Sequence, residues 1–479
     1  MGRCGGPAVA LGIMTGMQRD NLGNLVTGAD AGTLRVIDEF IEGFLAYESR
    51  AEAIIEGAAD APGCCLANTY AGLLCMFLEA PGAARGAARY LKRAEHGAEG
   101  VSRREQLSLA VLKAWAADDI GQALAACDAC TDEFPRDLVV VKLQQYFEFN
   151  RGNAPEMLRI ALKAVAAAGE NPYVHGMLAF GYEQCHLLAD AEAAARRALE
   201  IRRKEPWAQH ALAHVYLTRG QIDGGAQFME TVQDTWTGLN SFMITHLWWH
   251  LALFYLSQGR FTEALAAYDD HCWGVFKEYS QDQIGAISLL ARFEMVGIDV
   301  GPRWQDLGRY LKARQADTVL PFLTLQYLYG LARAGLPEGA ALLGFVRHFA
   351  TVAPPYSRAV WMEVALPMAE GLFAHATGDW DLAWRRLESA LPRLQEIGGS
   401  HAQRDLFEQI FLDTALKSGR LVDAQQRLEL RRHADPDGVP VNRALAGVYG
   451  QLRLPGLAAQ AQARAARTEA RFRGIAHAS

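Results

Sequence analysis

Apolar residues recur every three to four positions along most of this chain, the spacing that gathers them on one side of an α-helix. Alternation typical of strands is scarce. Its best local candidate, residues 139–141, lies inside a run from 137 to 151 in which the apolar residues keep helical spacing. The pattern therefore predicts an all-α protein.

Single glycines separate several of the helical runs. Gly220, Gly259, Gly378 and Gly419 each follow one amphipathic run and precede another. Glycine readily adopts the left-handed conformation that ends a helix, so each should mark the turn between two paired helices. The chain is thus expected to be built from antiparallel helix pairs.

One segment repeats with a period of 34 residues. Asn-Pro-Tyr at 171–173 corresponds to Glu-Pro-Trp at 205–207, and Gly-Tyr at 181–182 corresponds to Val-Tyr at 215–216. This period is typical of tetratricopeptide helix pairs, which stack into a solenoid with a long concave face. We predict an α-α superhelix of this tetratricopeptide type. Residues 1–20, a glycine-rich leader, are expected to be flexible, and residues 21–479 to form a single solenoid.

The charge and composition of the chain argue against two classes of partner, nucleic acids and membranes. A net charge of −7 offers no basic surface for nucleic acid phosphates, so no nucleic acid partner is expected. No apolar run of about 18 residues is free of charge, so no membrane association is expected either. The eight cysteines are far too few for a disulfide scaffold and indicate reduced thiols in a cytoplasmic protein. Cys127 and Cys130 have no second CxxC partner, which favours core packing over zinc.

Several runs together resemble the tetratricopeptide repeat protein 38 family, a group of helical-repeat proteins without a well-defined biochemical role. The runs occur in the family's order at 103–107 (RREQL), 211–215 (ALAHV), 246–253 (HLWWHLAL), 303–306 (RWQD) and 398–405 (GGSHAQRD). The resemblance implies an α-solenoid and gives no dependable reaction. The glycine-rich leader departs from the family's usual pattern.

Histidines are concentrated in one part of the chain. Of thirteen, four fall within 41 residues: His210, His214, His246 and His250. Each pair is spaced i, i+4 and so projects from one face of its helix. Both helices should be the first of their pairs, which line the concave surface and pack about 8–10 Å apart. The four imidazoles are therefore predicted to converge in the groove.

The histidines allow three interpretations. They could contact a ligand or supply a general base, because neighbours tune an imidazole pKa near neutrality. They could instead be buried polar residues that hold the repeats in register. As a further alternative, the four imidazoles could bind a transition metal, since two histidines at i, i+4 are a common half-site. Trp249 is expected either to form an apolar wall beside the histidines or to pack between repeats.

The polar run at 400–405 is the second candidate. Ser400 is a good N-cap for the helix that follows, and Gln403 is a candidate ligand contact. Arg404 could hold a carboxylate or phosphate, and Asp405 could orient a histidine. The alternative is a helix start with an internal pair between Arg404 and Asp405.

We predict from these features that the concave groove binds a small polar or anionic ligand. Whether the protein is an enzyme is left open. An enzyme of small-molecule metabolism is the alternative, with a groove histidine as general acid or base, and a protein–protein interaction scaffold is the second alternative. No cofactor is expected, and a peptide or protein partner and a homodimer are further options. The predicted ligand contacts are His210, His246, Trp249, Gln403 and Arg404, and the catalytic candidates are His214, His250 and Asp405.

Overall fold

Residues 18–473 are described by the computed structural model, and nearly all of their regular structure is helical. A short antiparallel hairpin comes first, with β1 (Gln18–Arg19) paired to β2 (Leu25–Val26). Residues 18–20 of the predicted leader lie in this hairpin, and the rest of that leader lies outside the described residues. The prediction of a single solenoid domain remains a prediction.

Helices follow the hairpin in close succession. The first half of the chain contains α1 (Ala31–Leu45), α2 (Ile54–Asp60), α3 (Cys65–Met76), α4 (Ala83–His96), α5 (Arg103–Ala116), α6 (Ile120–Glu133), α7 (Leu138–Asn150), α8 (Ala154–Ala168), α9 (Pro172–Gln184), α10 (Leu188–Ile201), α11 (Pro206–Thr218), α12 (Ile222–Val232) and α13 (Ser241–Gln258). The second half contains α14 (Phe261–Ala267), α15 (Ser280–Met295), α16 (Arg303–Leu311), α17 (Pro321–Arg333), α18 (Pro337–Val352), α19 (Arg358–Val360), α20 (Leu366–Thr377), α21 (Trp380–Ala390), α22 (His401–Lys417), α23 (Leu421–Ala434), α24 (Val439–Gln451) and α25 (Pro455–Arg473).

Shorter helical turns connect some of these helices. Four are 3₁₀ turns, at Ser49–Ala53, Gln233–Thr235, Lys312–Arg314 and Leu391–Ile397, and two are π-helical, at Tyr268–Cys272 and Trp361–Ala365. Residues 139–141 belong to α7, which confirms the helical interpretation of that apolar run.

The 34-residue period corresponds to two successive helix pairs. Pro172 and Pro206 are the first residues of α9 and α11, where proline is tolerated because a first-turn N–H has no helical partner. Helix α9 packs against α10 of its own pair and against α11 of the next. Gly259 and Gly378 end α13 and α20 in the left-handed conformation, with φ of 75° and 85°. The predicted all-α superhelix of antiparallel, tetratricopeptide-like helix pairs is confirmed.

The superhelix turns far enough for its two halves to touch. Hydrogen bonds join residues between 178 and 248 positions apart, as from Ser257 to Asp435 and from Arg471 to Asp223. Near the N-terminus, the Asn240 N–H donates to the carbonyl of Tyr47 over 2.7 Å. These contacts bring the first helices of several pairs around one interior space.

Two further sequence expectations concern the helices themselves. Among residues 18–473, no helix combines the length and hydropathy of a membrane-spanning segment. Cys127 and Cys130 are buried in the apolar core of the N-terminal helices, in agreement with a packing role.

Candidate functional site

The interior space holds a cavity of about 440 Å³ with a mostly apolar wall. Residues from α1, α2, α3, α7, α8, α9, α11, α13, α15, α17 and the start of α22 line it, together with residues of the connecting segments. The aromatic part of the wall consists of Phe44, Tyr47, Phe77, Tyr146, Phe149, Phe180, Trp207, Phe242, Phe276, Tyr279 and Phe322. Twelve polar or charged residues interrupt this apolar surface.

Four histidines meet at one side of the cavity. His210 and His214 come from α11, and His246 and His250 come from α13. The Nε2 atom of His210 lies 3.0 Å from Nε2 of His214 and 3.1 Å from Nε2 of His246. The His250 ring centre lies 4.6 to 4.9 Å from the other three. The structure thus brings together the four imidazoles that the i, i+4 spacing pointed to.

The four rings are arranged in two layers. His210 and His246 line the cavity, whereas His214 and His250 are fully buried and are not among its lining residues. Burial, with a smaller contribution from the neighbouring imidazoles, lowers the pKa of His246 to about 3 and the pKa of His210 and His250 well below the ordinary value. These three rings are therefore neutral imidazoles at neutral pH.

A carboxylate on α9 stands behind the histidines. Glu183 is fully buried, and its Oε2 lies 3.4 Å from Nδ1 of His214, while its Oε1 lies 2.9 Å from Nε2 of His401. Burial alone would raise the pKa of Glu183, but the facing imidazoles hold it below its ordinary value. Thr218 Oγ1 also lies 3.0 Å from His401 Nε2. Glu183 therefore fixes the orientation of His214 and His401.

Aromatic stacking holds the two histidines at the cavity wall. The ring of His210 stacks on Trp207, with centres 4.4 Å apart. His246 is sandwiched between Phe242 and Trp249, each 5.2 Å away, and is nearly parallel to Trp249 at 7°. Trp249 Nε1 donates to Ser288 over 3.2 Å. Trp249 thus packs against His246 and fixes the plane of its ring, but it is buried and, contrary to its predicted role as a ligand contact, does not line the cavity.

The run at 400–405 reaches the site through Gln403, as the sequence indicated, but not through Arg404 or Asp405. Gln403 lines the cavity and closes the capping box of α22 with Ser400. Arg404 does not line it, and its guanidinium donates to the carbonyl of Gly399. Asp405 accepts two hydrogen bonds from Arg431 of α23, over 2.6 and 3.1 Å. The carboxylate beside His214 is Glu183, and Asp405 is paired with cations instead.

Two other polar groups of the wall carried no sequence signal. The half-buried Lys142 donates from Nζ to the carbonyl of Phe44 and lies 3.3 Å from the ring centre of Tyr47. Burial lowers the pKa of Lys142 well below its ordinary value. Glu79 has a left-handed backbone with φ of 49°, and Tyr146 and Ser280 each donate to its carboxylate over 2.8 Å. Both residues are isolated in the sequence, so no spacing singles them out.

No known family model matches the chain. Solved structures with a similar helical path include the human IFIT1 dimer with m7Gppp-AAAA, at 13% identity and a TM-score of 0.36 over 85% of this chain and 89% of that one. The Naa15/Naa10 complex bound to HypK-THB is similar at 14% identity and a TM-score of 0.25, over 90% of this chain and 68% of that one. The TPR domain of P58(IPK) gives 14% identity and a TM-score of 0.22 over 76% of this chain and 92% of the domain. Scores this low carry no argument about what the chain binds.

Proposed function

We propose that this helical-repeat protein binds a small organic molecule that has an apolar body and a polar group. The observation that carries the proposal is the cavity of about 440 Å³, whose mostly apolar wall is interrupted by the imidazoles of His210 and His246. Small-molecule sites have this character: about 300–1,000 Å³, predominantly apolar, with a few placed polar groups.

His246 is better suited than His210 to hold the ligand's polar group. Nε2 of His210 faces two other imidazoles and its Nδ1 is buried. His246 is half-buried, and a neutral imidazole can donate to or accept from a carbonyl, a hydroxyl or an amide. Stacking on Trp207 and Trp249 fixes both rings before the ligand arrives, which lowers the entropy lost on binding. Arg404, the candidate for an anionic group, is not a wall residue, so the support favours a polar ligand over an anionic one.

Prodan, a fluorescent naphthalene ketone, is a suitable probe because it combines an apolar body with one carbonyl. We expect the wild-type protein to bind about one equivalent, the stoichiometry of a single cavity. Ile55→Trp should abolish binding, because Ile55 is a half-buried wall residue on α2 and the indole would fill the cavity.

The matched control is Ile120→Trp, which makes the same substitution at a half-buried residue of α6 outside the cavity wall. This variant should bind prodan like the wild type. Equal affinity in the two tryptophan variants, or binding of many equivalents to the wild type, would show that the cavity is not the binding site.

The line of contacts from Glu183 through His214 to His210 favours an enzyme as a second candidate. The Glu183 carboxylate lies 3.4 Å from Nδ1 of His214, and a hydrogen on that nitrogen leaves Nε2 as a proton acceptor, the arrangement used by general bases. In this scheme His210 takes the substrate's proton on Nδ1 and passes the hydrogen on its Nε2 to Nε2 of His214. Because Nδ1 of His210 is buried, the side chains around it must move to admit a substrate.

Hydrolysis of p-nitrophenyl acetate, a small apolar ester, tests this candidate. If the relay operates, His210→Ala and Glu183→Gln should each slow hydrolysis by at least about 100-fold, the usual range for general acid–base catalysis. His348→Ala removes an exposed histidine of α18 and should leave the rate unchanged. Equal rates in all three variants would exclude the relay for this ester and leave the binding proposal standing.

Membership of the tetratricopeptide repeat protein 38 family is part of the same proposal. Its support is the ordered set of five runs quoted above, three of which contribute to the site. Residues 211–215 and 246–253 carry three of the four clustered histidines, and residues 398–405 include Ser400 and Gln403 at the wall.

A further inference from the structure

The ring nitrogens of His210, His214, His246 and His250 lie close enough together to share one ion at a common point. One nitrogen from each ring can be chosen such that all four lie within 4.8 Å of one another. Around a tetrahedral zinc ion with Zn–N distances of about 2.0–2.1 Å, neighbouring ligand nitrogens are about 3.3 Å apart. The observed Nε2 separations of 3.0 and 3.1 Å differ from this value by only tenths of an ångström.

Hydrogen bonding among the rings leaves lone pairs unsatisfied. A neutral imidazole carries one N–H and one lone pair, and Nε2 of His210 faces the Nε2 atoms of both His214 and His246. One hydrogen cannot satisfy both contacts well. His250 is fully buried, and neither of its ring nitrogens has a hydrogen-bond partner among the described residues. Unpartnered buried polar atoms are costly, and an ion at the common point would bind their lone pairs.

Glu183 prepares His214 for a metal. The Glu183 carboxylate lies 3.4 Å from Nδ1 of His214, a position that favours the hydrogen on that nitrogen and leaves the lone pair of Nε2 facing the other imidazoles. Metal-binding histidines usually donate their other N–H to a carboxylate in this way. The buried negative charge of Glu183 also offsets part of the charge of a dication.

We propose that His210, His214, His246 and His250 form a binding site for a first-row transition-metal dication, with zinc as the tetrahedral case. Four neutral imidazoles suit zinc, copper, nickel or cobalt and do not suit magnesium or calcium, which prefer oxygen ligands. His210 and His246 line the cavity, which gives the ion a route to the site. The site does not depend on the proposed small-molecule ligand.

The test measures metal on protein purified without a histidine tag, stripped with EDTA and then dialysed against zinc. The wild type should retain about one equivalent, and cobalt loaded in its place should show the strong visible bands of tetrahedral Co²⁺. His246→Ala and His250→Ala should bind well below one equivalent. His348→Ala, at an exposed position of α18, should bind like the wild type. A wild-type content well below one equivalent would overturn the proposal.

A second variant separates metal binding from folding. Glu183→Gln keeps all four ligands and should weaken zinc affinity by about 10–100-fold, the usual effect of losing such a partner. Circular dichroism of the metal-free proteins reports whether each variant is folded. An unchanged zinc affinity in a folded Glu183→Gln would contradict the positioning role. If the EDTA-stripped wild type still binds prodan, the cavity binds its ligand without metal, and the binding proposal holds even if the metal site does not exist.

Discussion

At the scale of single residues, His250 should destabilise the metal-free protein, because both of its ring nitrogens are buried without a hydrogen-bond partner in the described part of the chain. Replacing it with leucine, of similar volume, removes this cost. We expect His250→Leu to raise the free energy of unfolding in EDTA by about 1 kcal/mol. Urea denaturation measures the change, and His348→Leu on the surface of α18 should change it little.

In the presence of zinc, the wild type should become more stable than His250→Leu. Saturating the wild type at a hundred times its Kd stabilises it by about 2.7 kcal/mol, whereas the leucine variant lacks one ligand and gains less. A variant that is less stable than the wild type in EDTA as well would mean that His250 has a packing role and that no metal explains it.

The clustered histidines should also make stability depend on pH. In the unfolded chain a histidine is protonated below about pH 6.5, but burial keeps His246 neutral in the folded protein down to its pKa of about 3. The unfolded state therefore binds more protons in this window, and stability falls as the pH decreases through it. Each such histidine contributes at most about 1.4 kcal/mol per pH unit.

Urea denaturation of the metal-free protein between pH 7.5 and 5 measures this slope. His246→Asn should reduce it, because one titrating group is removed, whereas His348→Asn on the surface should leave it unchanged. The same slope in His246→Asn as in the wild type would show that His246 is not kept neutral by burial.

The i, i+4 spacing of histidines in the sequence identified some residues of the site, but it could not identify residues that reach the site only through tertiary contacts. His210 and His214 were found because the i, i+4 pattern reports a helix face, which is local. Glu183 and His401 come from α9 and α22 and reach His214 only through the tertiary fold. Asp405 was expected to orient a histidine, but it accepts hydrogen bonds from Arg431, which lies 26 residues later.

At the scale of elements, the start of α22 determines where His401 lies. Ser400 accepts from the N–H of Gln403 over 3.2 Å, and the side chain of Gln403 accepts from the N–H of Ser400 over 3.0 Å. Ser400→Ala removes one half of this capping box and should destabilise the protein by about 1 kcal/mol. Calorimetry measures the loss, and a weaker prodan affinity should accompany it because α22 contributes to the wall.

A cap elsewhere provides the comparison. Asp379 caps α21 by accepting from the N–H of Leu382 over 3.1 Å, and it does not line the cavity. Asp379→Ala should lower the melting temperature by a similar amount and leave prodan affinity unchanged. If Ser400→Ala and Asp379→Ala weaken prodan binding equally, the effect of Ser400→Ala comes from global stability and not from the position of α22.

Elements were the most predictable level because the signals that form them are local. Pro172 and Pro206 start α9 and α11, and Gly259 and Gly378 end α13 and α20, as the pattern indicated. The hairpin of β1 and β2 was missed. Arg104 holds it from a distance, donating to the carbonyl of Leu25 over 2.9 Å, and a strand pair of two residues each has no detectable alternation.

At the scale of the whole molecule, the cavity exists because the superhelix closes on itself. Ser280 donates to Glu79 across 201 positions of sequence, and the backbone at Gly152 packs against that of Gln395. Such contacts depend on the twist accumulated over several helix pairs. The 34-residue period indicates the helix pairs but not the total twist that they accumulate, so the sequence indicated a groove and could not indicate a cavity formed between the two halves of the chain.

Gly152 offers a way to test the closure. It has φ of 68°, and a Cβ there would overlap the carbonyl oxygen of Gln395. Gly152→Ala therefore carries the strain of a left-handed alanine, about 1–2 kcal/mol, and must also displace the loop that contains Gln395. Gly335, with φ of 70° and the same pattern of turn hydrogen bonds, has open space around the same position among the described residues, so Gly335→Ala carries the strain alone. We expect Gly152→Ala to melt at a lower temperature than Gly335→Ala and to bind prodan more weakly, with a larger radius of gyration in solution scattering. If the two variants match in all three measurements, the contact between Gly152 and Gln395 does not hold the cavity closed.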